Sequence, residues 1–250
     1  MLDAATVFAI VGTFLIAGTC KGVIGLGLPT VSLALLTVAI DLPSAMALLL
    51  VPSFVTNLWQ AMLGGNGRVI LIRLWPFLLT ATVTVWIGAT ALTRVDLSLL
   101  SALLGALLVA YSTVNLGGLR FSIETRHEVW VGPLAGSANG ILAGMTGSFV
   151  VPGVMFLQAI GLSRDALIQA MGMLFTVSTL ALAFGLQQND FLTVEHGTLS
   201  LLALLPAIVG MVFGQRIRQS LSEQLFRKVF FISLLALGAY IITSAFDGFK

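Results

Sequence analysis

Too few charges are present to clothe this chain in water. Its 250 residues carry 12 lysines and arginines and 10 aspartates and glutamates, together 9% of the chain. A soluble domain carries about 25%. Hydrophobic residues make up 58% and the mean hydropathy is +1.07, so most of the chain belongs in lipid. A water-soluble enzyme is excluded, and so is disorder, which needs low hydrophobicity and high charge. One spanning helix takes about 20 residues. The length therefore admits roughly ten spans with short loops and leaves no room for a soluble domain.

The same scarcity narrows the partners. The net charge of +2 is spread along the chain, without the basic face that nucleic acid requires. A single cysteine, Cys20, excludes an internal disulfide and a cysteine-based metal site. It reads as a buried, small apolar residue. The two histidines, His127 and His196, fall in expected loops. The opening MLDAATVFAIVG lacks the basic region of a cleaved signal peptide and is expected to stay in the membrane.

Apolar stretches at 42–63, 69–92, 97–116, 165–187, 195–214 and 225–246 predict six transmembrane helices. Segments 4–40 and 130–160 are each too long for one span and contain a Gly-rich break, so each predicts a broken-helix hairpin. Basic residues favour the cytoplasm. Placing 215–224 inside, with Arg216 and Arg218, puts Arg164, the 117–129 linker with Arg120 and Arg126, and Arg68 inside as well. Only Arg94 and Lys250 then lie outside, with both termini.

Two related halves emerge. GTCKGVIGLGLP (18–29) aligns with GSANGILAGMTGSFVVP (136–152), and DLPSAMALLLVPSFVT (41–56) with GLSRDALIQAMGMLFT (161–176). The expected fold is an all-α polytopic membrane protein of two repeats, 1–116 and 130–250, joined by a cytoplasmic linker at 117–129. Each repeat has a hairpin and three spans. Three is odd, so the second repeat enters from the opposite side, an inverted topology common in secondary transporters.

The breaks carry the chemistry. Glycines 18, 22, 25 and 27 precede Pro29, and glycines 136, 140, 144 and 147 precede Pro152. Glycine permits non-helical backbone, and proline suits the first turn of a restarting helix. A helix that begins within the membrane turns free amides and its positive dipole end toward a cavity, which suits an anion. Irregular backbone at that depth is tolerated only inside protein or beside water. A second reading stays open: Gly18/Gly22 and Gly136/Gly140 also have the small-xxx-small spacing of close helix packing.

Lys21 is an ionisable residue in a membrane segment, a candidate for function or a lysine snorkelling from a helix end. Asn139 occupies the matching position in the second half. Ser53, Asn57 and Gln60 share one helical face, with Thr56 beside it, and Ser137, Thr146 and Ser148 flank the second set of glycines. Gln158, Gln169 and Thr176 are further candidates. Each could instead serve interhelical hydrogen bonding. The expected substrate contacts are Lys21, Gly22, Gly25, Gly27, Ser53, Asn57, Gln60, Ser137, Asn139, Gly144, Thr146, Gly147 and Ser148, around a midplane site. Arg73 reads as an interfacial, snorkelling residue. Trp59, Trp75 and Trp130 fit an interfacial belt, and Trp86 reads as packed.

KGVIGLGLP (21–29) and GILAGMTGSFVVP (140–152), each opening one half, resemble the TauE/SafE (TSUP) membrane permeases over essentially the whole chain. The resemblance implies a secondary transporter of the bacterial inner membrane that exports sulfite, a sulfonate such as sulfoacetate, or another small organic anion. It implies no cofactor, and partners limited to lipid and a small anion, with a homodimer compatible. An anion channel stays open as the alternative. No Walker A pattern is present for ATP-driven transport. An intramembrane protease would need a base near Ser137 or Ser148, and a metal-cation transporter would need carboxylates deep in the spans, where the sequence offers none.

Overall fold

A computed structural model describes residues 4–119, 121–218 and 222–247. Arg120, Lys250 and position 3, on which part of the charge and terminus reading rests, lie outside the described residues. Ten α-helices account for most of the described chain: α1 (Ala4–Ile24), α2 (Leu28–Ala39), α3 (Leu42–Met62), α4 (Gly67–Ala89), α5 (Leu97–Leu116), α6 (Thr125–Thr146), α7 (Gly153–Ala159), α8 (Arg164–Gln188), α9 (Val194–Ile217) and α10 (Glu223–Asp247). A 3-10 turn, Thr90–Thr93, extends α4. Seven of the helices (α1, α3, α4, α5, α8, α9 and α10) are long and apolar enough to cross a membrane. Among the described residues the protein is thus all-α and polytopic, with seven helices of spanning length.

The six expected spans each meet a helix, within three residues at either end. The hairpin segments differ from expectation. In the first, α1 runs 21 residues, through Lys21 and Gly22, and the break is confined to Gly25–Gly27. In the second segment α6 starts at Thr125, five residues before the expected 130, and takes Arg126, His127 and Glu128 out of the linker. His127 is therefore helical, and His196 lies in the first turn of α9 rather than in a loop.

The helices sort into two compact units that interleave along the chain. Unit 1 comprises Met1–Pro52, Val95–Gly118 and Phe191–Lys250, and unit 2 comprises Ser53–Arg94 and Leu119–Asp190. Helix α3 changes unit at Pro52.

Within unit 1, α1 packs along α9, α5 along α10, and α2 against both α1 and α10. The α1–α9 contact is backbone to backbone. A Cβ on Gly18 would strike the Ala207 carbonyl, and one on Gly22 would strike the Met211 carbonyl. Small residues allow this approach where hydrophobic exclusion from water gives no drive. Pro52 lacks the amide that would have bonded the Leu48 carbonyl one turn earlier. The Ser200 hydroxyl of α9 takes that place, donating to Leu48 O at 2.9 Å and accepting from Val51 N at 3.0 Å. Serine repairing a proline gap is a membrane solution, because no water is available to do it.

Within unit 2, α4 packs along α6 and against α8, and α7 contacts both α6 and α8. A Cβ on Gly144 would strike Val85 O, and one on Gly140 would lie 2.5 Å from Ala81 O. The second half of α3 is clasped to α8 by two glutamines. Gln60 Nε2 donates to Ile168 O at 2.7 Å, and Gln169 Nε2 donates to Ala61 O at 2.8 Å.

Candidate functional site

The first break belongs to unit 1. Helix α1 closes with Gly25 N donating to Lys21 O at 2.8 Å, and Gly25 takes a φ of 79°. Gly27 follows at φ 114° as the N-cap of α2. Both angles lie where side chains are disfavoured, and a Cβ on Gly27 would also lie 3.1 Å from the Phe230 ring. No side chain caps α2, and Pro29 sits in its first turn. That first turn is buried, as is Lys21 one turn before the break, at 4% exposure. Lys21 is enclosed by protein rather than reaching out along the surface. Cys20, beside it, is only partly buried, not the fully buried thiol expected.

The second break belongs to unit 2. Gly147, at φ 73°, ends α6 by donating from its amide to Ala143 O at 2.7 Å. The chain then runs irregularly to Pro152, through a cis Val151–Pro152 bond, and α7 follows. Asn139, fully buried on α6, reaches across: its Oδ1 accepts from Gly153 N at 2.9 Å. Thr146 Oγ1 donates back to Leu142 O at 2.7 Å and accepts from Ser148 N at 3.3 Å. The Asn139 Nδ2 and the Ser148 hydroxyl are buried and have no hydrogen-bond partner. A buried donor left unmatched costs about 1–3 kcal/mol, so this break presents donors suited to an anionic oxygen.

Residues 10–241 match the sulfite exporter TauE/SafE family. The chain belongs to that family. No curated protein and no solved structure matches it. Membership makes this multi-pass protein a transporter of an anion-exporting family, not a catalyst. Among the described residues no group of three metal-ligating side chains occurs.

The family resemblance carries no geometry, and the structure distributes the expected site residues unevenly. Gly25, Gly27 and Gly147 form the breaks, whereas Gly22 and Gly144 sit inside helices and admit a neighbouring backbone. The glycines thus serve both interruption and close packing, at different positions. Ser53, Asn57 and Gln60 are all buried, and Gln60 is engaged in the clasp to α8. The Ser53 hydroxyl, like those of Ser178 and Thr179 on α8, is buried with no hydrogen-bond partner. Sequence reasoning did not single out Ser178 or Thr179, although their adjacent hydroxyls in an apolar span were a signal. Ser137 is half-buried, and its carbonyl accepts from Thr84 Oγ1 at 3.0 Å. Gln158 is exposed, and Thr176 donates to Gly172 O at 2.7 Å.

Two residues add to what the sequence indicates. Arg73 is exposed, and its head is engaged. Its Nε donates to Glu128 Oε2 at 2.8 Å and its Nη2 to Ile160 O at 2.9 Å, with Nη2 also 2.5 Å from Glu128 Oε1. Two parallel bonds satisfy the carboxylate, which explains how Glu128 can be buried at 8% exposure within a helix expected to start beyond it. Trp86 is not packed away. It is 49% exposed, and its Nε1 donates to Gln188 Oε1 at 2.6 Å.

Proposed function

We propose that this protein exports a small sulfur oxyanion or sulfonate, sulfite or a sulfoacetate-like anion, across the bacterial inner membrane as a secondary transporter. The observation that carries the reading is the pair of buried, unmatched groups at the second break, Asn139 Nδ2 and the Ser148 hydroxyl. They are hydrogen-bond donors in a protein whose family is described as sulfite exporters. Lys21, buried beside the first break, supplies the positive charge an anion needs. Further proposed contacts are Gly25 and Gly27 in unit 1, and Ser53, Asn57, Thr146 and Gly147 in unit 2. An anion leaving an inside-negative cell gains about 2.3 kcal/mol per charge per 100 mV, enough to drive export without a coupled ion.

The proposed architecture is an inverted repeat of 1–116 and 130–250, with both termini outside. The helix partners support it. In unit 1 the first helix of the first half (α1) packs on the fourth of the second (α9), and in unit 2 the first of the second half (α6) packs on the fourth of the first (α4). Cysteines placed at positions 3 and 250 in a Cys20→Ser background label together from outside; opposite labelling removes the repeat.

Sulfite efflux from proteoliposomes tests the function. Wild type releases sulfite with a rate that saturates as its concentration rises. Lys21→Ala and Ser148→Ala, folded by size-exclusion profile, each slow release at least tenfold. Undiminished efflux in both removes the proposed contacts, and a rate linear in concentration replaces the carrier with a channel.

A further inference from the structure

Unit 1 contains a polar concavity at the end of α2 away from the first break. The last turn of α2, the first turns of α3 and α5 and the last turns of α10 border a pocket of about 280 Å³. Its polar lining is Asp41, Thr37, Ser98, Ser101, Ser244 and Tyr240. The lining contains no lysine, arginine or histidine. Arg94 is nearby in sequence, but it is exposed and does not line the pocket. The apolar wall includes the buried Leu42 and Ile241.

The electrostatics select the sign of the ligand. Two helix N-termini border the pocket, and these ordinarily favour anions. Here each first turn already has a carboxylate. Asp41 Oδ1 accepts from Ser44 N at 2.9 Å at the start of α3, and Asp96 Oδ1 accepts from Ser98 N at 2.7 Å at the start of α5. The end of α2 adds the negative pole of its dipole. An anion would therefore meet carboxylates and carbonyls. A cation is favoured.

The size and lining select its kind. Pockets for organic ligands start at roughly 300 Å³, so the volume suits a small organic molecule rather than a bare ion. No cluster of three metal-ligating residues occurs among the described residues. The serine hydroxyls and the Asp41 carboxylate can accept from the three donors of a primary ammonium. A tyrosine ring offers a face to the same charge.

We propose that this pocket binds the primary ammonium of a small amine, either free or as a lipid headgroup. Thermal unfolding of the purified protein in detergent, with ethanolamine, sodium or acetate added, is the first arm. The second compares the protein in vesicles of phosphatidylglycerol alone and with phosphatidylethanolamine. A ligand that binds the folded state raises the melting temperature with concentration. Ethanolamine is expected to raise it where equal sodium and acetate do not. Asp41→Asn keeps an oxygen to cap α3 but loses the charge, and should weaken the apparent affinity at least tenfold. Tyr240→Leu is the second variant should Asp41→Asn fail to fold. Stabilisation by ethanolamine identifies a free-amine site, and stabilisation by phosphatidylethanolamine alone identifies a lipid site. No stabilisation by either overturns the proposal. So does an equal shift with sodium, or a shift that the folded variants retain in full.

Discussion

The two breaks interrupt a membrane helix in different ways. The first is three residues long, with glycines at φ 79° and 114° and no side chain capping the helix that follows. The second is six residues long, 147–152, and side chains hold it: Asn139 takes the Gly153 amide, and Arg73 takes the Ile160 carbonyl beyond α7. The first thus offers a charge, on Lys21, beside uncapped helix. The second offers oriented dipoles in a hydrogen-bonded frame. The breaks should therefore respond differently to substitution.

The breaks also share a feature, and it bears the largest effect. Gly22 and Gly144 each precede a break and admit a neighbouring carbonyl. Gly22→Leu and Gly144→Leu should both abolish folded protein, since relieving either clash means separating two helices. Monodisperse elution of either variant would show that close packing is needed on one side only. Next is Glu128→Ala, which strands Arg73 and slackens the end of α7. Removing one partner of a buried pair costs about 3–5 kcal/mol. With Arg73 partly exposed, about 2–3 kcal/mol is expected, read as a lower melting temperature. Arg73→Ala combined with Glu128→Ala should recover part of it; no recovery would mean that the pair does not act as a unit. The smallest effect separates the breaks most cleanly. Asn139→Ala should cost about 1–2 kcal/mol by freeing Gly153 N, while Asn139→Asp keeps an acceptor for Gly153 N but replaces the proposed Nδ2 donor with a carboxyl oxygen, and halts efflux. Equal efflux in Asn139→Asp and wild type would exclude the anion from this break.

The long helices were legible because each apolar run exceeds the bilayer thickness on its own. Compensation across the chain was not. Arg126, His127 and Glu128 look like a loop until Arg73, 55 residues before Glu128, is known to pair with it. Glycine spacing was ambiguous because four-residue intervals serve both packing and interruption. Only the backbone angles separate Gly22 from Gly25. Gln60 and Asn57 share a face, yet the Gln60 amide is committed to α8, which a face calculation cannot reveal. The breaks themselves were found because a proline follows each cluster of glycines, which close packing does not require.

The bond from Ser200 to Leu48 spans 152 positions. During synthesis, α3 emerges long before α9. Until α9 arrives, the carbonyl orphaned by Pro52 has no such donor. It must borrow a temporary one, from lipid headgroup, water defect or insertion machinery. The ribosome therefore delivers the part that completes the third helix only near the end of its work. Chains halted before residue 200 should be held by the insertase or removed by quality control rather than released as a stable half.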